Sequence, residues 1–235
     1  MARTRPHWLR RIILAIIGLF VLIQLWFFAW VLVWKFWEPG PTQFMKIRLD
    51  ELQKTNPNAR LQQTWVPYAK ISPSLKKALI AAEDSKFMQH HGFDFDGIQK
   101  ALEKNERRGR IAAGGSTITQ QLAKNLFLWP EKSFIRKGEE AIITLMIEAT
   151  WSKRRILEVY MNEIEWGNGI FGAEAAARHY FGISASQLND YQAAMLASMV
   201  PRPRYYDRKG ETENLLKQTD VILERMNKVA IPPTR

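Results

Sequence analysis

Gly114-Gly115-Ser116-Thr117-Ile118-Thr119-Gln120-Gln121-Leu122-Ala123-Lys124-Asn125 is the stretch on which the reading of this chain turns. Thr117 and Gln120 stand three apart, the spacing of a capping box. In that box the hydroxyl accepts from a backbone N–H one turn on, and the amide reaches back to the cap. The helix they open carries Ile118, Leu122 and Leu126 at four-residue spacing, one apolar stripe. Thr117, Gln121 and Lys124 follow the other face and offer hydroxyl, amide and ammonium groups. Two glycines ahead of a helix start leave backbone N–H groups and the positive helix end open to phosphate. The Gly-Lys-Ser/Thr ending of a nucleotide-binding P-loop is absent. Taken alone, the stretch reads equally well as an ordinary capped amphipathic helix.

Helix signals continue on both sides. Ser72-Pro73 is a cap followed by proline at the first helical position, opening a helix to about Lys86 with Leu75, Leu79, Ala82 and Glu83 on its stripe. Further helices are predicted over 94–106, over 134–150, from Ser152 to near Asn162, and from Gly172 to Phe181 with Gly182 as the stop. Asn189 and Gln192 repeat the capping pair before a helix that Pro201 ends, and a last amphipathic helix carries Leu215, Leu216, Ile222, Leu223 and Met226. Residues 107–115 read as a mobile basic loop, Trp166-Gly167-Asn168-Gly169 as a turn, and Leu61 to Tyr68 as a short extended stretch. The fold class expected is therefore all-α, with β structure at most minor.

Ile12 to Trp34 is a run of 23 residues without a charge, and Gln24 is its only strongly polar member. As a helix it spans roughly 34 Å, enough for a hydrocarbon core of about 30 Å. Arg3, Arg5, Arg10 and Arg11 precede it and Lys35 alone follows closely. The positive-inside rule then puts the N-terminus in the cytoplasm and the rest of the chain outside it. A cleaved signal peptide would have a shorter apolar region ending in small residues; this one runs into Trp34-Lys35-Phe36-Trp37. The expected division is a basic tail over 1–11, a transmembrane helix over 12–34, a linker over 35–59 and one domain over 60–235. The chain has 235 residues, no cysteine and a net charge of +11, of which +6 belongs to residues 36–235. No disulfide or cysteine-ligated zinc is possible. A basic domain suits an anionic partner, and one outside the cytoplasm makes nucleic acid a poor candidate, leaving anionic lipid or a phosphorylated substrate.

Two further constellations carry chemistry. In Glu83-Asp84-Ser85-Lys86-Phe87-Met88-Gln89-His90-His91-Gly92, Glu83 lies on an apolar stripe. Burial disfavours its charged form and suits it to proton transfer near neutral pH. The plainer alternative is an ion pair with Lys86 or Lys76. In Arg136-Lys137-Gly138-Glu139-Glu140, Arg136 and Glu140 are four apart, either a surface ion pair or a second carboxylate held among bases. Neighbouring His90 and His91 make no zinc motif. Ser74-Leu75-Lys76-Lys77 matches the Ser-x-x-Lys of penicillin-binding transpeptidases, but no Lys-Thr-Gly follows and the match reads as coincidence.

Together these segments resemble glycosyltransferase family 51, which includes the glycosyltransferase domains of class A penicillin-binding proteins and their monofunctional relatives. The resemblance rests on four motifs in order: Glu83–Gly92, Gly114–Asn125, Arg136–Glu140 and Arg155-Ile156-Leu157-Glu158-Val159-Tyr160-Met161-Asn162. It implies a lysozyme-like α-helical fold with a smaller lobe resting in the membrane, and the monofunctional form without a transpeptidase domain. It implies polymerisation of lipid II, a disaccharide-pentapeptide on a polyprenyl diphosphate, into β-1,4 glycan strands with inversion. By the resemblance Glu83 is the general base and Glu140 the second carboxylate. Ser116, Thr117, Gln120, Gln121, Lys124, Arg136 and Lys137 fall to the substrate, as do Lys86, Lys100 and Lys132, which stand where the family usually has arginine and so lose its bidentate grip on phosphate. No metal-ligand cluster is evident, so Mg2+ or Mn2+ would enter only through the substrate diphosphate. Partners expected are lipid II, the growing glycan chain, membrane lipid and other cell-wall synthesis proteins, at the bacterial inner membrane. The competing readings are a lytic, lysozyme-like enzyme that cuts glycan and a catalytically silent anchored scaffold.

Overall fold

The computed structural model describes residues 7–108, 115–131 and 133–234. Most of the predicted basic loop (109–114) and Lys132 lie outside them. Helix α1 (His7–Trp34) is the apolar run; α2 (Gln43–Gln53) follows, then α3 (Pro73–Glu83), α4 (Phe95–Arg108), α5 (Ile118–Phe127), α6 (Phe134–Thr150) and α7 (Lys153–Glu163). A small hairpin of β2 (Glu165–Gly167) and β3 (Ile170–Phe171) precedes α8 (Ala173–Phe181), α9 (Asp190–Met199), α10 (Pro203–Lys209) and α11 (Glu213–Met226). The architecture is all-α with a minor sheet. β1 (Gln62–Gln63), inside the expected extended stretch, lies parallel to β3, and β2 lies antiparallel to it. Trp166, expected in a turn, is in β2 and wholly buried.

The caps act as the sequence indicates. Ser72, Thr117, Ser133, Ser152 and Asn189 each accept from a backbone N–H one turn into their helices, and Thr117–Gln120 and Asn189–Gln192 close full capping boxes. Two groups of helices result. α3, α9 and α11 pack on one another, and α5 packs on α6 and α7. A single apolar core, from Leu75 and Leu79 through Ile118 and Leu122 to Leu196 and Ile222, joins the groups. α3 leads into the junction between them, so its last residue, Glu83, sits where the groups meet.

Residues 43–53, expected within a linker, form α2, which packs on α5. It is tied down by Arg48, whose guanidinium is buried and holds Glu165 at 2.9 Å and 3.1 Å. The apolar helix α1 also packs on the domain. Val31 is buried, its carbonyl accepts from Trp151 Nε1 at 2.8 Å, and the Trp34 carbonyl accepts from the Arg155 guanidinium at 2.8 Å and 3.1 Å. Lower on the helix, Gln24 Nε2 donates to Glu139 on α6 at 2.8 Å. Of the helices described, only α1 is long and apolar enough to cross a membrane. Beside it α6 exposes Phe134 at 99% and Ile135 at 76%.

Glu163, at the end of α7, is buried, accepts from Gln63 Nε2 at 3.3 Å and leaves Oε2 without a partner. Burial pushes its carboxyl up to about 9 from 4.5, against weaker pulls from Gln63 and Arg155. Through that window the folded protein holds a proton that the unfolded chain has released. Stability is therefore greatest below it and falls as pH rises towards the folded value. Glu163→Gln is expected to flatten the loss of stability between pH 6 and pH 8 by on the order of 2 kcal/mol. Thermal melts in detergent read this; an unchanged slope in the variant means Glu163 does not titrate there.

Candidate active site

Glu83 ends α3 half-buried, and it pairs with neither lysine the sequence offers. Lys76 lies buried over the Tyr68 ring at 4.0 Å, and Lys86 bonds to Asp96 at 2.7 Å. Glu83 Oε2 instead accepts from Gln121 Nε2 at 2.7 Å, and Gln121 Oε1 accepts from the Tyr160 hydroxyl at 3.0 Å. Tyr160 is wholly buried, and burial holds its hydroxyl protonated far above the usual value. Ionised, the Glu83 carboxylate only accepts, so the NH2 end of the Gln121 amide faces it and the carbonyl end is left to accept from the Tyr160 hydroxyl. Burial raises the Glu83 pKa; the Gln121 hydrogen bond and the Lys124 charge pull it back, and neighbouring Asp84 adds to the rise.

Asp84 anchors this corner. It accepts from His90 Nε2 at 2.8 Å and from the Ile118 backbone N–H at 3.1 Å, which ties the end of α3 to the start of α5. The N-terminus of α5 is thus already answered by a carboxylate. Thr117 and Gln120, candidates for substrate contact, are buried within their capping box, and the Thr117 hydroxyl donates to the Gly92 carbonyl at 2.7 Å. Gly92 has φ +93°, and a Cβ there would meet Thr144 at 2.8 Å. These residues fix the loop that carries Ser116 rather than meeting solvent.

The cations gather on α5 and α6. Lys124, three residues beyond Gln121, is half-buried and makes no ion pair among the described residues; its side chain lies over Phe44 of α2 at 5.9 Å. Burial lowers its pKa, Arg136 and Lys137 lower it further, and Glu140 and Glu83 oppose them. Arg136 and Glu140, expected as a possible surface pair, are both buried and joined at 2.6 Å; Lys137 holds the other Glu140 oxygen. Exposed Ser116 stands 3.5 Å from Lys137 Nζ. Lys100 is exposed on α4, and no described contact brings it to Glu83. Ser74 of the Ser-x-x-Lys match bonds to Asp190 at 2.5 Å, not to Lys77. Among the described residues no group of three His, Cys, Asp or Glu stands close enough to hold a metal ion.

Two cavities open from Glu83. One of about 640 Å³ runs between α3, α9 and α11 past Ser198, Asn214 and Gln218. One of about 200 Å³ runs towards Ser116 and Asp94. Arg225 borders both, a residue that sequence reasoning missed because a base in a helix's last turn already has a reason in the helix dipole. Tyr160 and Asp84 were likewise unassigned.

A carboxylate of raised proton affinity, beside cations suited to a departing phosphate and in a helical domain docked on an apolar helix, describes a glycosyltransferase working at a membrane. The chain belongs to the transglycosylase family, whose model matches residues 49–227. It is 61% identical to a biosynthetic peptidoglycan transglycosylase of Dechloromonas aromatica (strain RCB) over 96% of this chain and 98% of that one. Proteins of the same description from Azoarcus sp. (strain BH72) and Laribacter hongkongensis (strain HLHK9) are 57% and 55% identical. They match over 98% and 96% of this chain and 100% and 99% of their own.

Proposed function

We propose that the Glu83 corner deprotonates a sugar hydroxyl while the α5–α6 cations take the diphosphate that leaves. The chain is a peptidoglycan glycosyltransferase that builds glycan strands, by its family and its relatives. Its substrate is lipid II. Glu83 takes the proton of the acceptor's 4-hydroxyl; that oxygen bonds to the anomeric carbon of the donor strand, with inversion, as the bond to polyprenyl diphosphate breaks. The proton ends on Glu83 and the electron pair on the diphosphate. Negative charge grows on the leaving oxygen, so fixed cations lower the barrier. Lys124, Arg136 and Lys137 supply them, and Glu140 holds the last two in place.

The observation that carries this reading is the Tyr160–Gln121–Glu83 chain of hydrogen bonds. It fixes a carboxylate of raised pKa through Gln121, which stands one turn before Lys124 on α5, a lysine without an ion pair among the described residues. A glycan-cutting enzyme needs no such row of cations. Thr117 and Gln120 act by positioning. The partition into 1–11, 12–34, 35–59 and 60–235 stands as a proposal, with α2 working as part of the catalytic unit. The N-terminal arginines favour a cytoplasmic N-terminus and a catalytic domain outside the inner membrane. Exposed Phe134 and Ile135 beside α1 suit a lobe dipped into lipid. The test is purified lipid II given to the full chain in detergent: polymer that a muramidase digests is expected. Lipid II bound but unchanged supports the scaffold, and polymer cut on addition supports the lytic enzyme.

A further inference from the structure

We propose that a second cavity beside the catalytic cleft, walled by Arg202, Arg204 and Arg208, binds the carboxylates of the peptide stem carried by the glycan substrate; this rests on lipid II being that substrate. The cavity measures about 540 Å³, and Tyr205, Asn168 and Glu165 complete its polar lining. Pro201 and Arg202 wall both it and the larger cavity that ends at Glu83, so the two spaces adjoin.

Most of the positive charge in this cavity has no close partner among the described residues. Its one carboxylate, Glu165, is engaged by Arg48 from α2 at 2.9 Å and 3.1 Å. Arg204 makes only long contacts, 3.6 Å to Glu51 and 4.0 Å to Glu165. Arg202 and Arg208 make no ion pair among the described residues; Arg208 Nε reaches only the Arg204 carbonyl, at 3.3 Å. Asp207 lies between them in sequence but is spent elsewhere. It accepts from the Asn168 N–H at 2.9 Å and from the Tyr180 hydroxyl at 3.1 Å, and pairs with His179 Nε2 at 2.9 Å.

The substrate's chemistry selects the occupant. Its sugars are neutral, so its anionic groups are the diphosphate and the peptide carboxylates. The diphosphate sits on the anomeric carbon that reacts at Glu83, where Lys124, Arg136 and Lys137 wait. None of those three lines either of the adjoining cavities. An arginine-walled space one cavity away fits the other anion, and arginine is the side chain that grips a carboxylate with two parallel hydrogen bonds.

The test compares lipid II bearing free stem carboxylates with the same lipid II amidated at them, using the full chain in detergent. The chains compared are the wild type and the double variant Arg202→Gln with Arg208→Gln. Among the described residues neither arginine has a carboxylate partner to strand, so the variant should fold, and its melting temperature checks that. The wild type is expected to favour the free-acid substrate in kcat/KM by about 3- to 10-fold, two exposed charge contacts' worth, and the variant to treat the substrates alike. A wild type indifferent to amidation, or a variant that keeps the preference, overturns the proposal. An equal loss on both substrates that appears only in vesicles of anionic lipid gives the pocket to a headgroup and overturns it too. A wild type that polymerises neither substrate removes the lipid II reading itself, and this proposal with it.

Discussion

Glu83→Gln is expected to lower kcat for glycan polymerisation by about 10³-fold, with lipid II binding retained. Glutamine keeps the length and shape of the side chain, and its amide oxygen can still accept from Gln121 Nε2, so the corner built on Tyr160 and Asp84 should stand. What the variant cannot do is take a proton. Polymerisation followed by muramidase-sensitive product, with binding measured separately, tells the two apart. Activity above a tenth of wild type would remove Glu83 as the base. The pH profile carries the same argument. A base must be ionised, so activity rises with pH through the raised Glu83 pKa, giving an acid limb displaced above the ordinary carboxylate range. Gln121→Ala deletes the hydrogen bond that favours the ionised form, and the acid limb should move to still higher pH.

The helices on either side of this corner were legible because their ends are written locally. Ser72-Pro73, Thr117 with Gln120, Ser152, and Asn189 with Gln192 are signals whose partners lie within four residues, and each forms. What failed to show in the sequence depends on partners far along the chain. α2 buries Met45 and Arg48, and a buried arginine makes no sense until Glu165, 117 residues away, is beside it. α10 begins among prolines, which read as breakers although Pro203 occupies the first turn, where proline is tolerated. The apolar run reads in the sequence as a transmembrane anchor. Its docking on Trp151 and Arg155 could not be foreseen, because those bonds end on backbone carbonyls of α1.

The candidate site shows the same division. Glu83, Gln121, Lys124, Arg136 and Glu140 were found through motifs, but the motifs do not distinguish contact from support. Thr117 and Gln120 belong to the same motif as Gln121, yet they are closed within a capping box. Capping needs the atoms that binding would use, and a buried box satisfies them first. The last motif behaves alike. Arg155 holds the end of α1, Glu158 accepts from the Tyr68 N–H at 2.7 Å, Tyr160 orients Gln121, and Asn162 bonds to the Val66 backbone at 2.9 Å and 3.0 Å. Only one of the four reaches towards the chemistry, and it does so through another side chain.

Lys124→Met should cost about 10²- to 10³-fold in kcat/KM, the range for removing one preorganised group at a developing negative charge. Methionine fills the space over Phe44 and spares the fold a cavity, so the loss reports charge rather than packing. The lysine is set apart from its neighbours by making no ion pair among the described residues. Arg136 and Lys137 are bound to Glu140, whereas Lys124 carries a charge that burial and those two cations disfavour. A diphosphate arriving there relieves that cost as it binds. The same facts place an alkaline limit on activity. Lys124 is charged only below its lowered pKa, so activity should fall as pH rises through it and, with the acid limb of Glu83, give a bell. Lys124→Arg separates charge from titration. Arginine stays protonated throughout, so this variant should keep part of the activity while its alkaline limb moves beyond the measurable range. A limb that stays in place in Lys124→Arg would assign the alkaline limit to another group and leave Lys124 as a binding charge alone.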